Sequence, residues 1–258
     1  MKQIFDIKIL FFIVISMSLF SCASRNEVAY YQNADTVLGN NSTDNYETIL
    51  QPDDLLRIVV LAQSIEAAAP FNIDRSKLGS TDVTAPGQET NVYLVDREGY
   101  IDFPFIGKIK LGGLTKGQAI TELNSVLRSQ LVNPSVNITI MNFKVTVQGE
   151  VVKPGVITVQ SERLTLPEAL GMAGDLTIYG KRDNIMIVRE KEGKKTVERI
   201  DITKADFVNS PYYYLAQNDL VYVEPNKTRM NASKVGPNIN VIISASSLLV
   251  TLIVLITR

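Results

Sequence analysis

Hydrophobic positions recur along the chain with two different periods, and their order sketches two small folding units. After a turn at Pro52-Asp53-Asp54, Leu56, Ile58 and Val60 alternate with polar neighbours, which predicts a half-buried strand. Short strands are expected at 92–95 and 99–104, on either side of an Asp96-Arg97-Glu98-Gly99 turn. The period then changes. Thr115 and Gln118 have the spacing of a capping box, Ile120, Leu123 and Leu127 share one helical face, and Asn133-Pro134 stops the run. Val136 to Ile140 alternates again and closes the first unit.

The second unit repeats the scheme from about Phe143. Val145, Val147 and Gly149 alternate, Lys153-Pro154-Gly155 supplies a tight turn, and 156–159 returns. Thr165 and Glu168 form a second capping-box pattern, opening a helix through Leu170 that Gly174 would end. Residues 185–188 and 196–200 flank a charged hairpin tip, and 219–223 is the last strand. A hairpin, a helix across a small sheet and further strands make the pattern of a β-grasp domain, so the fold class expected is α+β.

The two ends depart from this pattern. Lys2 and Lys8 make a basic start, residues 9–20 are an apolar run, and Leu19-Phe20-Ser21 leads into Cys22, the one cysteine of the chain. That is the layout of a secretory signal, with an apolar run too short to span a bilayer, which takes about 20 residues. Leu-Phe-Ser-Cys resembles the bacterial lipobox, which implies cleavage between Ser21 and Cys22 and a diacylglycerol or acyl lipid, palmitate included, on the cysteine sulfur. The alternative is a buried thiol behind an ordinary signal peptide. Residues 23–45, rich in asparagine, serine and threonine, read as a tether. At the other end, residues 226–237 form a polar linker with Lys227, Arg229 and Lys234, and Ile239 to Ile256 carries no charge. Eighteen such residues rise about 27 Å as a helix, which predicts a transmembrane span over 238–257 suited to a thin membrane; a buried helix of a soluble domain is the alternative. Asn240, Ser244, Ser247, Thr251 and, after an interruption at Val254, Arg258 recur at heptad-like steps and share one face. That face is either turned to an aqueous pore inside a ring of helices or packed dry between a pair.

Composition removes several chemistries. There is no histidine and no second cysteine, so histidine-assisted nucleophiles and common zinc sites are excluded. A formal charge of −1 offers no broad basic field for nucleic acid. No glycine-rich phosphate loop is present, no cofactor or metal is expected, and no catalytic residue can be named. An envelope hydrolase using paired carboxylates stays open without a candidate pair. The Tyr212-Tyr213-Tyr214 cluster suits either stacking on sugar rings or packing on a sheet, and Gly149, Pro154 and Gly155 suit a hairpin.

The segments "YETILQPDDLLRIVV", "VDREGYIDFPFIGKIKLGGLTKGQAITEL", "NPSVNITI" and "VQGEVVKPGVITV" resemble the polysaccharide export proteins of Gram-negative outer membranes. Beside the signal peptide over 1–21 and the lipidated tether over 22–45 read above, the resemblance implies a polysaccharide-export domain over 46–141 and a soluble-ligand-binding (SLBB) β-grasp domain over 142–225. The family's usual Pro-Gly-Asp turn reads Pro52-Asp53-Asp54 here; aspartate tolerates positive φ, so the turn should survive. The resemblance further implies a non-enzymatic, lipid-anchored outer-membrane protein with its soluble domains in the periplasm. It would form a homo-oligomeric ring, commonly octameric, passing capsular polysaccharide or exopolysaccharide and meeting an inner-membrane polysaccharide co-polymerase coupled to a tyrosine kinase. A lipid-anchored glycan-sensing module without a pore is the rival reading. The basic residues before the terminal helix would invert the positive-inside bias of an inner-membrane span, which favours the outer membrane.

Overall fold

The computed structural model describes residues 25–37, 47–72, 91–159, 161, 163–191, 193–234 and 239–256. Its helices are α1 (Arg25–Val28), α2 (Ala34–Val37), α3 (Ile65–Ala68), α4 (Lys116–Leu127), α5 (Leu166–Met172), α6 (Lys227–Lys234) and α7 (Ile239–Ile256).

The first domain contains β1 (Leu55–Leu61), β2 (Val92–Leu94), β3 (Tyr100–Phe103), β4 (Gly107–Lys110) and β5 (Ser135–Ile140). β1 lies between β2 and β5 in an antiparallel sheet, while β3 and β4 form a separate hairpin. The alternation seen in the sequence decides which face is buried: Leu56 pairs with Ile140, Ile58 with Ile138 and Val60 with Val136. Leu56, Ile58, Val60 and Ile138 are fully buried, and α4 contributes Ala119, Leu123 and Leu127 to the same core. Each such leucine adds about 2 kcal/mol of burial. α4 starts where the capping box places it: Gln118 N–H donates to Thr115 Oγ1, and Thr115 N–H donates to Gln118 Oε1.

The second domain holds β6 (Lys144–Gly149), β7 (Gly155–Thr158), β8 (Leu164–Thr165), β9 (Gly180–Lys191), β10 (Lys194–Ile200), β11 (Tyr214–Leu215) and β12 (Leu220–Pro225). Its sheet runs β10-β9-β12-β6-β7, and β8 pairs with β11 apart from it. All neighbours are antiparallel except β6 and β12, the first and last strands, which pair in parallel from Leu220↔Thr146 to Val223↔Gly149. α5 covers the sheet with Leu166, Ala169 and Leu170, again behind a closed capping box at Thr165 and Glu168. The parallel pair ends on a close approach: a Cβ built on Gly149 would lie 2.0 Å from the Val223 carbonyl oxygen, and Gly149 has φ +94°. No side chain fits there.

Asn142 joins the domains. Its Oδ1 accepts the Leu55 N–H at 2.9 Å and its Nδ2 donates to the Asp53 carbonyl at 2.9 Å. Its own carbonyl accepts from Gln217 Nε2, whose Oε1 accepts the Lys144 N–H. Ile140 packs against both cores. The turn gripped by Asn142 keeps Asp53 at φ +69°, so aspartate holds the left-handed position as expected. Beside it Asp54 is fully buried, with Oδ2 accepting the Gln51 N–H at 2.8 Å and Oδ1 facing no hydrogen-bond partner. Burial pushes its carboxyl up to about 6, the Asp53 charge adds to this, and the Gln51 N–H opposes it.

One expectation is corrected, and two segments carry local structure that their composition does not announce. Part of the 23–45 tether is built structure, because α1, α2 and the residues between them lie on the second domain. The 226–237 linker is largely helical, as α6. The terminal span is a helix over Ile239–Ile256, yet among the described residues no helix is long and apolar enough to cross a membrane. Eighteen residues rise about 27 Å, less than the ~30 Å hydrocarbon core of an average bilayer. The expected C-terminal transmembrane helix is therefore not supported as a full crossing.

Two outcomes follow for stability. Gly149→Ala should cost at least ~3 kcal/mol in urea unfolding of the second domain, because β6 and β12 must separate. Gly155→Ala, where nothing lies within 4 Å of the added methyl, should stay within about 0.5 kcal/mol. For Asp54, the folded state binds the proton more tightly than the unfolded chain, so its stabilising contribution is full below about pH 4 and is lost as pH rises through about 6. Between pH 4 and pH 7 the wild type should lose about 2 kcal/mol relative to Asp54→Asn. Parallel unfolding curves for the two proteins across that range would refute the assignment.

Candidate functional site

The described residues contain no group of histidine, cysteine, aspartate and glutamate able to hold a metal. What they do contain is a meeting of the two chain ends at one pole of the second domain. Two loops build that pole, 150–153 after β6 and 173–179 between α5 and β9. They run side by side: Val152 N–H donates to the Asp175 carbonyl, Lys153 N–H to Ala173, and Thr177 N–H to Glu150. Gly174 at φ +77° and Asp175 at φ +69° turn the chain out of α5 and set this course.

The amino-terminal segment arrives here. Tyr30 Oη donates to Asp175 Oδ1 at 2.7 Å, and the Arg182 guanidinium lies 5.3 Å from the Tyr30 ring centre. Burial, then the Asp175 bond, pushes the Tyr30 phenol up to about 12, so it remains a donor at physiological pH. The segment is also laid along 202–206. Tyr31 and Gln32 N–H donate to the Ile202 and Thr203 carbonyls, while Asn33 gives Nδ2 to Asp206 and takes the Ala205 N–H at 2.6 Å on Oδ1. Tyr31 meets Phe207 with ring centres 5.5 Å apart.

The carboxyl-terminal segment leaves from the same place. Asn226 N–H donates to the Tyr179 carbonyl at 2.7 Å. On α6, Arg229 Nε donates to Glu150 Oε1 at 3.0 Å while its guanidinium lies 5.6 Å from the Tyr179 ring centre. Glu150 Oε2 meanwhile accepts from Thr177 Oγ1. An open cleft of about 450 Å³ lies between α6 and this end of the sheet, lined by Glu150, Pro225, Arg229, Met230, Ala232 and Ser233.

Beyond α6, the helix α7 exposes Val241, Ile243, Leu248, Leu249, Val250, Leu252 and Leu255. Ser244, Ser247 and Thr251 of the expected polar face lie on it and are exposed, and Asn240 lies in its first turn. Thr251 Oγ1 donates to the Ser247 carbonyl one turn back at 2.9 Å, so that hydroxyl is satisfied within its own helix. Ser21, Cys22 and Arg258 lie outside the described residues.

The tyrosine cluster packs. Tyr213 meets Phe207 and lies edge-on to Tyr214 at 5.0 Å, and the Arg189 guanidinium lies 4.6 Å from the Tyr212 ring centre. Arg189 is held there by Asp219, fully buried, through bonds of 3.0 and 2.6 Å to its two oxygens. A carboxylate so deep is tolerable only with such a partner. Across the sheet, bonds from Arg199, then Lys181 and Asn184, bring Glu224 down to about 2.

Two of these features were hidden in the sequence. The strap at 30–33 sits in a polar stretch without periodicity, where only the adjacent tyrosines Tyr30 and Tyr31 hint at burial. The partner positions of Glu150 and Arg229 are 79 residues apart, and nothing local connects them.

Comparison with known proteins bears on both domains. Residues 42–141 match the family described as polysaccharide biosynthesis/export protein, and residues 143–223 match the SLBB domain. The chain is 28% identical over 138 residues to the EPS I polysaccharide export outer membrane protein EpsA of Ralstonia solanacearum, covering 52% of this chain and 36% of that protein. It is 29% identical over 161 residues to the protein of the same name from Ralstonia nicotianae, covering 60% and 42%. The chain thus spans less than half the length of these relatives. With the two matched segments lying end to end over most of its length, the chain belongs to the polysaccharide export family.

Proposed function

We propose that the protein is a non-enzymatic subunit of a Gram-negative outer-membrane exporter of exopolysaccharide or capsular polysaccharide. The observation that carries this reading is α7: eighteen residues without a charge, with large apolar side chains exposed, attached to an export domain and an SLBB domain. So much exposed apolar surface is costly in water and calls for lipid or further copies of the helix. Several α7 helices entering together, through a membrane thinner than average, would need less length than one helix crossing alone. In this arrangement a lipid on Cys22 fastens the front of the chain, identical subunits close into a ring, eight being the usual number in similar proteins, and the α7 helices line a pore. The polymer passes without covalent chemistry, through weak and replaceable contacts. The inner-membrane partner is a polysaccharide co-polymerase coupled to a tyrosine kinase.

One observation favours the sensing module instead. Because Thr251 closes its hydroxyl onto the Ser247 carbonyl, that position needs no water, and α7 can serve as a dry anchor. The two readings separate in one experiment. Replacing Ser244, Ser247 and Thr251 together by leucine should leave the soluble domains folded and the protein in the outer membrane, while surface polymer falls to the level of a deletion strain. Normal surface polymer in that variant would overturn the pore lining. Single-particle images of detergent-extracted wild type should show rotational symmetry, and a monomer or dimer would overturn the ring.

A further inference from the structure

We propose that the 150–153 and 173–179 loops, with the end of α5, form a membrane-contact surface, and that this pole of the second domain rests on the phospholipid face of the membrane holding the chain. The inference rests on the anchored reading above and adds to it a defined footprint.

Four large apolar or aromatic side chains stand out from this pole. Val152 is 59% exposed, Met172 54%, Ile178 61% and Tyr179 39%. Val152, Ile178 and Tyr179 lie on loops hydrogen-bonded to one another, and Met172 ends α5 just before the second of them. The inward-facing positions of the same domain, Val145, Val147, Ile185, Ile187 and Val221, are fully buried, whereas Val156 on β7 and Val197 on β10 are exposed singly. A cluster of exposed apolar side chains at a loop end marks a contact site.

The ends of the chain say what the contact is. The strap reaches the pole through Tyr30 and Asp175, and only two residues separate Cys22 from Arg25, where α1 begins. The three Cα steps from Cys22 to Arg25 span at most about 11 Å, so a lipid on Cys22 enters its membrane close to α1. From the other side, Asn226 and Arg229 fix the start of α6 to Tyr179 and Glu150, and α7 begins four residues after α6 ends. Both membrane-seeking parts of the chain are therefore leashed to one pole. Its charge fits as well. Lys153 and Lys227 are exposed beside the apolar cluster, and lysines near an anionic leaflet are drawn to it. Tyr179, with an apolar ring and a polar tip, belongs to the residue type that settles at headgroup depth.

The fixed leash has a mechanical consequence. Because the strap is bonded along 202–206 as well as at Asp175, the lipid cannot swing freely, and the second domain is held in one attitude with the first domain directed away.

The test uses the full mature, lipid-bearing chain in vesicles of phosphatidylethanolamine and phosphatidylglycerol, with an environment-sensitive fluorophore on Ile178→Cys. Val197→Cys, on the edge strand β10, and Val132→Cys, in the first domain, are the controls; both native side chains are exposed. A lipid-borne quencher should reduce the signal at 178 several-fold more than at either control. Equal quenching at the three positions, in protein that floats with the vesicles, overturns the footprint while leaving the anchor intact. Protection of 178 from both lipid-borne and aqueous quenchers, as a contact between copies would give, also overturns it. Failure to float at all overturns the anchored reading and the footprint with it. Val152→Asp with Ile178→Asp should lose the quenching of a label at Met172→Cys while keeping the unfolding midpoint, and retained quenching would count against the proposal.

Discussion

The backbone contact between Gly149 and Val223 governs the layout of the second domain. Parallel pairing of the first strand with the last requires the chain to enter and leave the sheet in the same direction, so the end of β12 must lie beside the end of β6. The pairing reaches its last rung only because Gly149 has no side chain to meet the Val223 carbonyl. From that rung the rest follows. Glu150 stands next to the chain as it leaves through Pro225 and Asn226, and so can take Arg229 from α6 and Thr177 from the neighbouring loop. The loop that Glu150 orders is the one to which Tyr30 is bonded through Asp175. A single register in a sheet interior thus brings both chain ends to one place.

The two domains are joined by different means from those that hold each together. Within a domain the cohesion is apolar and continuous, with fully buried strands under a capped helix. Between them, among the described residues, Ile140 is the apolar side chain common to both cores, and Asn142 adds a polar connection: it satisfies Leu55 and Asp53 on one side and is itself satisfied by Gln217 on the other. Hydrogen bonds in partly buried positions add about 1 kcal/mol each, against tens for a core, but they fix orientation. The joint therefore sets an angle more than it supplies stability. Asp54 belongs to the same corner, and its buried, half-satisfied carboxylate shows that the turn is held by its neighbours and not by its own comfort.

Much of this was legible from the residues. Leu56, Ile58 and Val60 announced β1 and its buried face; Thr115 with Gln118 and Thr165 with Glu168 announced two helix starts that close as capping boxes. These are local signals, carried within four or five residues. Asp53 at positive φ was likewise foreseen, because the turn demands it and aspartate permits it. What escaped was nonlocal or unpatterned. β8 and β11 are two residues each, too short for a period, and are strands only because Leu164 and Leu215 find each other across 51 positions. The strap has the composition of a loose leader, and its order comes entirely from partners such as Asp175 and Asp206. Helix α6 is mostly polar, with Met230 its one large apolar residue, and its tie to the second domain comes from Arg229 reaching a glutamate.

The length of α7 constrains how the ends can act together. A helix rising about 27 Å leaves a shortfall against an average bilayer. Mismatch of a few ångströms costs fractions of a kcal/mol per ångström and is relieved by a thinner membrane, by local thinning or by association. A lone α7 would meet that cost unaided, and its serine and threonine hydroxyls would gain nothing from one another. A second attachment changes the balance, because once a lipid holds the front of the chain at the same pole, α7 searches the membrane from a fixed distance of a few residues instead of from solution. Its effective concentration at the bilayer then rises without any new contact. The same tether would keep neighbouring copies in one attitude, so that helices too short to be stable singly are presented side by side. On the proposed reading, short helix, clamped strap and polar joint would act together, with orientation fixed in the soluble domains standing in for length in the membrane.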